Sequence, residues 1–155
     1  MKLSEMGFRK CDAQGCGHYR ASRGSRLHMG IDLCDPSGES LEVGTEVVSG
    51  LSGEVVKVGW AYLAIEKSHL RYIAIKLGEY YCRIFYITPL VSVGDRVKPN
   101  DVIGISQCLG EFYEGITEHV HIEFYKLVDP LGGEHDKNNF AYVDPKIALE
   151  VMGGA

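Results

Sequence analysis

The chain lacks an apolar run long enough to cross a membrane, and it has no excess of basic residues. A spanning helix needs about 20 consecutive apolar residues, so no transmembrane segment is expected. A nucleic-acid partner is also not expected, because such binding depends on a basic surface and the formal net charge is −5. The first residues, 1–5, lack the apolar part of a secretory signal. This pattern predicts a mature form without its signal, a cytosolic protein, or a protein released by lysis or carried on a particle.

The cysteines are odd in number and cannot form a fully paired framework within one chain. There are five, and Cys11 and Cys16 are close neighbours in the sequence. This pair could close a small disulfide loop, remain as free thiols, or supply half of a metal knuckle. No second cysteine pair accompanies them, which argues against the metal knuckle.

The 155 residues suffice for one domain, and the pattern within them indicates β-structure. Nineteen glycines accompany many β-branched residues. The best hairpin candidate joins 71–77 to 80–87. The similar stretches 41–47 and 91–97 each predict a turn before a short strand. Further elements are two strands within 47–58, strands at 102–106 and 120–125, and one helix at 145–152 after an Asp144 N-cap. We therefore predict an all-β fold with a rolled antiparallel sheet and one short C-terminal helix.

Two short histidine motifs, far apart in the chain, indicate one metal site. The first runs from His28 to Asp32 as H-M-G-I-D, and the second runs from His119 to His121 as H-V-H. Imidazole and carboxylate groups are the ligands of catalytic zinc, and three of them leave one position open for water. We predict that His28, Asp32 and His121 bind Zn²⁺.

The second motif also predicts a catalytic residue. Side chains two apart on a strand point to the same face, so His119 should lie beside the ligand His121. Zinc lowers the pKa of a bound water to about 7, and a nearby histidine is suited to take its proton. We predict that His119 has this role or supports a ligand from behind. Either motif alone would also fit ordinary surface histidines, but their joint occurrence at predicted strand edges favours the metal site.

The two motifs together resemble those of the lysostaphin/LytM-type zinc endopeptidases. In that family, H-x-x-x-D is followed at a similar distance by H-x-H. The stretch 94–104 looks like the family's G-D-x-V…x-V-I-G, and 142–145 looks like its closing V-(D/N)-P. The resemblance covers about 24–149. It implies a LytM-like zinc peptidase domain over 1–155, with a groove above the sheet and an N-terminal extension, 1–23, that carries the cysteine loop. It also implies that the substrate is bacterial peptidoglycan or a glycine-rich peptide.

Two further stretches, 11–19 and 85–89, resemble the leukocyte cell-derived chemotaxin branch of this fold. Members of that branch bind zinc but are regarded as signalling proteins. The short cysteine pair forms a disulfide there, so this resemblance favours a disulfide between Cys11 and Cys16.

One position departs from the pattern of the active peptidases. They carry Y-x-H-L before the G-D-x-V turn, whereas this chain has Y-I-T-P at 86–89, so Thr88 is predicted to replace a second catalytic histidine. That histidine is expected to stabilise an oxyanion, and loss of one such donor typically slows an enzyme about 10²–10³-fold. Thr88 itself, a nearby tyrosine, or one of three other histidines could take over part of the role: His18, His69 or His135.

The function expected from these features is zinc-dependent cleavage of the peptide cross-links of peptidoglycan. The expected setting is a phage lysis or tail-associated enzyme, or an enzyme exported with a partner, that acts at the cell wall. One alternative is a zinc-binding module of the same fold with little or no activity, which binds a peptide, a glycan or a protein partner. Another is an assembly subunit, for instance of a virion.

Overall fold

The structure, a computed structural model, describes residues 1–67, 69–133 and 137–152, without the side chains of Glu66 and Met152. Its strands are β1 Gly7–Phe8, β2 Ser22–Arg23, β3 Arg26–Leu27, β4 Ile31–Cys34, β5 Glu46–Val48, β6 Gly53–Trp60, β7 Arg71–Leu77, β8 Tyr80–Phe85, β9 Ile87–Pro89, β10 Arg96–Val97, β11 Val102–Ser106, β12 Val120–Leu127 and β13 Phe140–Val143. Helix α1 is Pro145–Met152, and short 3-10 turns occupy Leu3–Glu5, Ile65–Lys67 and Lys137–Asn139. None of the helices in the described ranges is long and apolar enough to cross a membrane.

Two antiparallel sheets organise the part of the chain that the structure describes. The large sheet has the order β1-β4-β12-β8-β7-β6-β10, and β13 also pairs with β12, along the residues of that strand that extend beyond β4. The small sheet has the order β5-β11-β9, and β2 and β3 form a separate hairpin. The prediction of an all-β antiparallel fold with one short C-terminal helix is confirmed.

The register of the large sheet determines which side chains face a cavity that lies on one side of it. One row of directly opposed residues is apolar and buried: Ile31, Ile122, Ile84 and Ile73. The adjacent row points to the other face and carries Asp32, His121, Phe85 and Tyr72. Because a shift of one residue would exchange the two rows, burial of the isoleucines fixes the polar row on the cavity side.

The N-terminal residues pack onto this sheet. β1 pairs with β4, and Leu3 and Met6 are buried in the core. A disulfide between Cys11 and Cys16 closes the loop that follows β1, in agreement with the pairing that the chemotaxin-like stretch favours. The N-terminal segment therefore contributes both to the core and to the edge of the sheet beside β4.

The structure departs from the predicted strand 80–87 at Tyr86. β8 ends at Phe85, and β9 begins at Ile87 in the small sheet. Tyr86 between them has φ +71°, in the left-handed region that bulky residues rarely adopt. This kink transfers the chain from one sheet to the other, and alternation of polar and apolar residues does not reveal it.

We expect Gly30→Ala to destabilise the protein, because a Cβ at this position would meet the neighbouring strand. It would lie 2.2 Å from the carbonyl oxygen of Ile122 and 2.7 Å from Cε1 of His121. Backbone atoms of a paired strand yield only at a cost, so the expected loss is about 1–3 kcal/mol of unfolding free energy, as for overpacked cores. Urea unfolding measures it.

Gly110→Ala is the matched control for that experiment. A Cβ at Gly110 would have no neighbour closer than 3.6 Å, and the residue does not occupy the left-handed region. Its unfolding free energy should stay within about 0.5 kcal/mol of wild type. Equal losses in the two variants would contradict the proposed role of close contact at Gly30.

Candidate metal centre and active-site cavity

The side chains of His28, Asp32 and His121 converge at one point of the large sheet. Asp32 in β4 lies directly opposite His121 in β12. The backbone of His28 is held beside them, because its N–H donates to Ala21 and its carbonyl accepts from Arg20. The three facing atoms, Nε2 of His28, Oδ1 of Asp32 and Nδ1 of His121, lie 2.8–3.1 Å from one another. The structure thus brings together the three predicted ligands.

In His28 and His121, the ring nitrogen that points away from the cluster, here called the outer nitrogen, lies within hydrogen-bond distance of an oxygen that can only accept. Nδ1 of His28 lies 2.9 Å from the carbonyl oxygen of His18. Nε2 of His121 lies 3.0 Å from Oε1 of Glu123. Each outer nitrogen therefore carries a hydrogen in the neutral ring, and each inner nitrogen presents a lone pair to the centre. Glu123 thus holds the ring of His121 from the same face of β12.

A cation fits this donor set. Three acceptors, two imidazole nitrogens and a carboxylate oxygen, meet without a hydrogen between them and repel one another unless a positive charge lies among them. Without a metal, a proton on His121 supplies that charge: burial opposes it, but Asp32 and Glu123 raise the pKa of His121 to about 9. Nitrogen and oxygen ligands in this number suit zinc with one position left open.

Asp32 is a buried carboxylate that contacts several cationic and imidazole groups. It is 2% exposed. Burial alone would raise its pKa, but His119, His121 and His28 hold the pKa of this carboxyl well below its usual range. Its second oxygen, Oδ2, accepts a hydrogen bond of 2.7 Å from Nη1 of Arg9. Asp32 thus faces the metal position with one oxygen and a buried guanidinium with the other.

Arg9 connects this carboxylate to the disulfide loop. Its Nε and Nη2 donate to the two oxygens of Asp12 at 2.8 and 2.6 Å, and Nη2 also donates to the carbonyl of Gly15. Asp12 in turn accepts from the backbone N–H of Thr117. Sequence reasoning missed Arg9, because nothing in the motifs links an arginine of the N-terminal segment to an aspartate 23 positions later.

His119 lies next to the cluster in a neutral form. Burial lowers its pKa, although Asp32 opposes that shift. Nδ1 of His119 lies 2.7 Å from the carbonyl oxygen of Thr117 and therefore carries the hydrogen. Its Nε2 lies 3.5 Å from Oδ2 of Asp32. The lone pair of Nε2 consequently faces the site, where it can accept a proton.

A cavity of about 670 Å³ opens above the cluster. Its floor includes the three predicted ligands and His119, and its walls carry aromatic and cationic residues: Tyr62, Phe85, Tyr86, Tyr113, Tyr142, Arg23, Arg26 and Lys137. A peptide backbone could lie along the aromatic walls with a carbonyl group directed at the floor. The arrangement can therefore bind a substrate at the metal position and move a proton beside it.

The predicted role of Thr88 is wrong. Thr88 is exposed in β9, opposite Ile105, and it does not line the cavity. The residue that lines the cavity is Tyr86, whose ring lies edge-on to His119 with 5.7 Å between ring centroids. The kink at Tyr86 changes the side-chain alternation, so counting along a regular strand selects the wrong residue.

Three other histidines were predicted as possible replacements for the second catalytic histidine. The two that the structure describes, His18 and His69, do not line the cavity. His18 supplies its backbone carbonyl to His28, while its side chain is exposed. His69 is exposed and lies 3.9 Å from Glu111 and against the ring of Phe112. His135 lies outside the described residues.

Similarity to known proteins is extensive. A family model described as "Domain of unknown function (DUF8155) N-terminal domain" matches residues 27–131. Leukocyte cell-derived chemotaxin-2 of Bos taurus is 32% identical over 127 residues, which cover 79% of this chain and 76% of that protein. The Mus musculus protein of the same name is 34% identical over 126 residues, with the same coverage.

Solved structures of peptidases share the fold. LytU superposes with a TM-score of 0.62 at 25% identity, over 94% of this chain and 87% of that chain. Lysostaphin, described as an antimicrobial peptidase from Staphylococcus simulans, superposes with a TM-score of 0.62 at 20% identity, over 97% of this chain. The match spans about half of that lysostaphin chain, 53%. The resemblance to the lysostaphin/LytM-type peptidases and to the chemotaxin branch is thus confirmed.

We expect His121→Ala to abolish zinc binding, because it removes one of the three converging lone pairs. Zinc per chain, measured by atomic absorption after dialysis, should fall from about one to near zero. The thermal shift that zinc produces in the wild type should also disappear, since a ligand stabilises only a fold that binds it. His69→Ala is the control and should retain both. Full zinc content in His121→Ala would rule out the proposed ligand set.

We expect Arg9→Met to lower the unfolding free energy of the metal-free protein by about 3 kcal/mol, since it leaves a buried carboxylate without its guanidinium. Guanidinium chloride unfolding measures the change. Arg26→Met removes a cation from the same cavity, but Arg26 is exposed and is not ion-paired in the described ranges, so a change near zero is expected. Matching values for the two variants would show that Arg9 does not stabilise Asp32.

Proposed function

Because this chain belongs to the DUF8155 N-terminal domain family and to the family of leukocyte cell-derived chemotaxin-2, and has the fold of lysostaphin/LytM-type peptidases, we propose that it is a zinc-dependent endopeptidase. The proposed substrates are the peptide cross-links of bacterial peptidoglycan. One observation carries the proposal: three lone pairs converge at the floor of an open cavity, with the unprotonated Nε2 of His119 beside them. A purely structural zinc site would not need a neutral histidine next to an open coordination position.

His28, Asp32 and His121 would hold the zinc ion. A bound zinc ion would polarise the substrate carbonyl and make water more acidic. The hydrogen bonds to the outer nitrogens of His28 and His121 fix both rings in the orientation that binding needs. Arg9 donates to Oδ2 of Asp32 and balances its charge, so Oδ1 would be available to a bound ion.

His119 would act as the general base and then as the general acid. A water oxygen attacks the carbonyl carbon of the scissile amide, a C–O bond forms, and the π electron pair moves onto the carbonyl oxygen. The proton of the water passes to Nε2 of His119, while Nδ1–H stays bonded to Thr117. When the C–N bond breaks, His119 returns this proton to the departing amine.

A second candidate function is supported by a specific observation. The expected second histidine is absent, and Tyr86 occupies the cavity wall beside His119 instead. If this exchange removes activity, the cavity binds a peptide or glycan next to a structural zinc ion without cleaving it. The similarity to chemotaxin-2 agrees with such a binding module, whereas the neutral His119 favours the enzyme.

The extent of the functional unit and its biological setting stay predictions. Contacts of residues 1–23 with the sheet and with Asp32 support one functional unit over 1–155. A phage lysis or tail-associated role, export with a partner, and action at the cell wall rest on the sequence pattern alone.

We expect zinc-loaded wild-type protein to release soluble muropeptides from purified peptidoglycan, and His119→Ala to lose at least about 100-fold of this rate. His119→Ala should still bind one zinc ion, because His119 does not provide one of the converging atoms. Mass spectra of the products identify the cleaved bond. His69→Ala is the control and should retain the wild-type rate.

The outcomes separate the two functions. Release by wild type and by His69→Ala, but not by His119→Ala, establishes the peptidase. An absence of release across walls with direct and glycine-bridged cross-links, with zinc bound, would rule out the peptidase in favour of the binding module. Equal rates in wild type and His119→Ala would remove His119 from the mechanism.

A further inference from the structure

Tyr86 is held in a strained backbone conformation at the edge of the metal site. In the described part of the chain, Arg20 and Tyr86 are the non-glycine residues with positive φ. Such a conformation costs an aromatic residue stability and persists only where its surroundings impose it. They do so here, because the N–H of Tyr86 donates to Arg71 at 2.7 Å and its carbonyl accepts from Gln107 at 2.9 Å.

The strained backbone directs the phenol into the cavity. Phe85 already faces the cavity, so in a regular strand the next side chain would point into the core. The kink instead places the ring of Tyr86 beside Phe85, His119 and His121, with ring centroids 6.1, 5.7 and 6.5 Å away. The phenol therefore borders the space between the proposed base and a proposed zinc ligand.

A second tyrosine orients the hydroxyl group of Tyr86. The hydroxyl oxygens of Tyr62 and Tyr86 lie 2.8 Å apart. Either hydroxyl can be the donor, and the hydroxyl of Tyr62 also hydrogen-bonds with that of Tyr113. When Tyr113 donates to Tyr62 and Tyr62 donates to Tyr86, the hydroxyl hydrogen of Tyr86 is free to point into the cavity. Tyr62 is itself fixed from the loop side, because the ammonium group of Lys67 lies 5.1 Å from the centre of its ring and 4.4 Å from that of Tyr113.

Both phenols stay protonated at neutral pH. The ordinary pKa of a tyrosine phenol is about 10, well above neutral pH. Burial raises the pKa of Tyr62 further, to about 12. A protonated phenol is a hydrogen-bond donor with a fixed direction, which suits an oxygen that gains negative charge during a reaction.

The geometry points to Tyr86 as a catalytic residue that donates its phenolic hydrogen bond to the developing oxyanion, with Tyr62 as the positioning residue for that phenol. This inference rests on the proposed peptidase function for its kinetic part. The phenol fills the role of the missing second histidine. It does not transfer its proton, because its hydrogen bond only strengthens as the carbonyl electron pair moves onto oxygen. Histidine and tyrosine differ here in shape, but both present one polarised hydrogen.

The kinetic experiment removes, one at a time, the hydroxyl groups of Tyr86 and of its hydrogen-bond partner Tyr62. Tyr86→Phe should lower kcat for muropeptide release about 100-fold, with KM within about threefold, because the donor acts mainly in the transition state. Tyr62→Phe should lower kcat about tenfold, since it leaves the donor present but poorly oriented. Tyr80→Phe, at the far end of β8, is the matched control and should keep wild-type kinetics.

The position of the donor can be tested by exchange as well as deletion. Tyr86→His should recover at least about tenfold over Tyr86→Phe, because it restores an N–H donor at the same place. Thr88→His should leave the rate at the wild-type level, since Thr88 lies outside the cavity. Full activity of Tyr86→Phe, or a gain in Thr88→His, would overturn the assignment.

A binding experiment tests the same donor without catalysis. Inorganic phosphate is a tetrahedral oxyanion that needs no peptide specificity, and isothermal titration calorimetry measures its affinity for zinc-loaded protein. Tyr86→Phe should weaken phosphate binding about tenfold, whereas Tyr80→Phe should leave it unchanged, at equal zinc content. Unchanged affinity in Tyr86→Phe would overturn the inference, and so would the absence of phosphate binding to wild type at millimolar concentration.

The two experiments separate failure of the inference from failure of the proposed function. If wild type releases no muropeptides but Tyr86→Phe still weakens phosphate binding, the peptidase proposal fails and the oxyanion donor stands as part of a binding site. If wild type hydrolyses peptidoglycan and neither measurement changes in Tyr86→Phe, the peptidase stands and the inference fails.

Discussion

A buried carboxylate, Asp32, determines the arrangement of the groups around it. An ionised carboxylate that is 2% exposed is costly to bury unless cations and donors surround it. Arg9 contacts one of its oxygens, and two imidazoles face the other. Positive charge at the centre of the cluster, as a proton or as a metal ion, completes the compensation. The same electrostatic requirement therefore stabilises the buried Asp32 and shapes the candidate metal site.

The register of the sheet places this carboxylate where it can act. Asp32, His121 and Phe85 are directly opposed across β4, β12 and β8, and the buried isoleucine row beside them prevents the sheet from slipping. Further along β12, Glu123 supports His121 and is itself paired with Arg83. Burial alone would raise the pKa of Glu123, but His121 and Arg83 lower it to about 2, so it stays ionised. Charges thus alternate in sign from Arg9 through Asp32, His121 and Glu123 to Arg83, and each is paired with the next.

Local sequence patterns predict the strands and the ligand cluster well. The stretch 71–77 alternates clearly and forms β7 with the same bounds, and H-V-H places two imidazoles on one face because a strand has a period of two. The convergence of His28 with His121 could be predicted because the two motifs together supply nitrogen and oxygen donors of the kind that one zinc site uses. The strand bounds and the paired imidazoles depend on spacing within a few residues, which the sequence displays directly. The convergence of the two distant motifs was predicted from their complementary donor groups instead.

The remaining parts of the site depend on contacts between distant segments or on backbone geometry. Arg9 reaches Asp32 only because β1 pairs with β4 and the disulfide loop folds back over the cluster. Counting along a regular strand selects Thr88, and the positive φ of Tyr86 makes that count invalid. A glycine in a strand pattern indicates a possible kink, but a tyrosine does not, so the kink at Tyr86 could not be predicted from the sequence.

The kink at Tyr86 also bears on the choice between the two proposed functions, peptide cleavage and peptide binding. The ligand cluster needs His28, Asp32 and His121, and none of these requirements involves residue 86. The proposed donor on the cavity wall could therefore change while the candidate metal site and the fold persist, because its backbone is held by Arg71 and Gln107 rather than by the cluster. The positive φ of Tyr86 favours a functional role for this residue. A regular strand with an apolar side chain buried at this position would cost less conformational free energy. Under the proposed function, a change at residue 86 would therefore alter activity without altering metal binding.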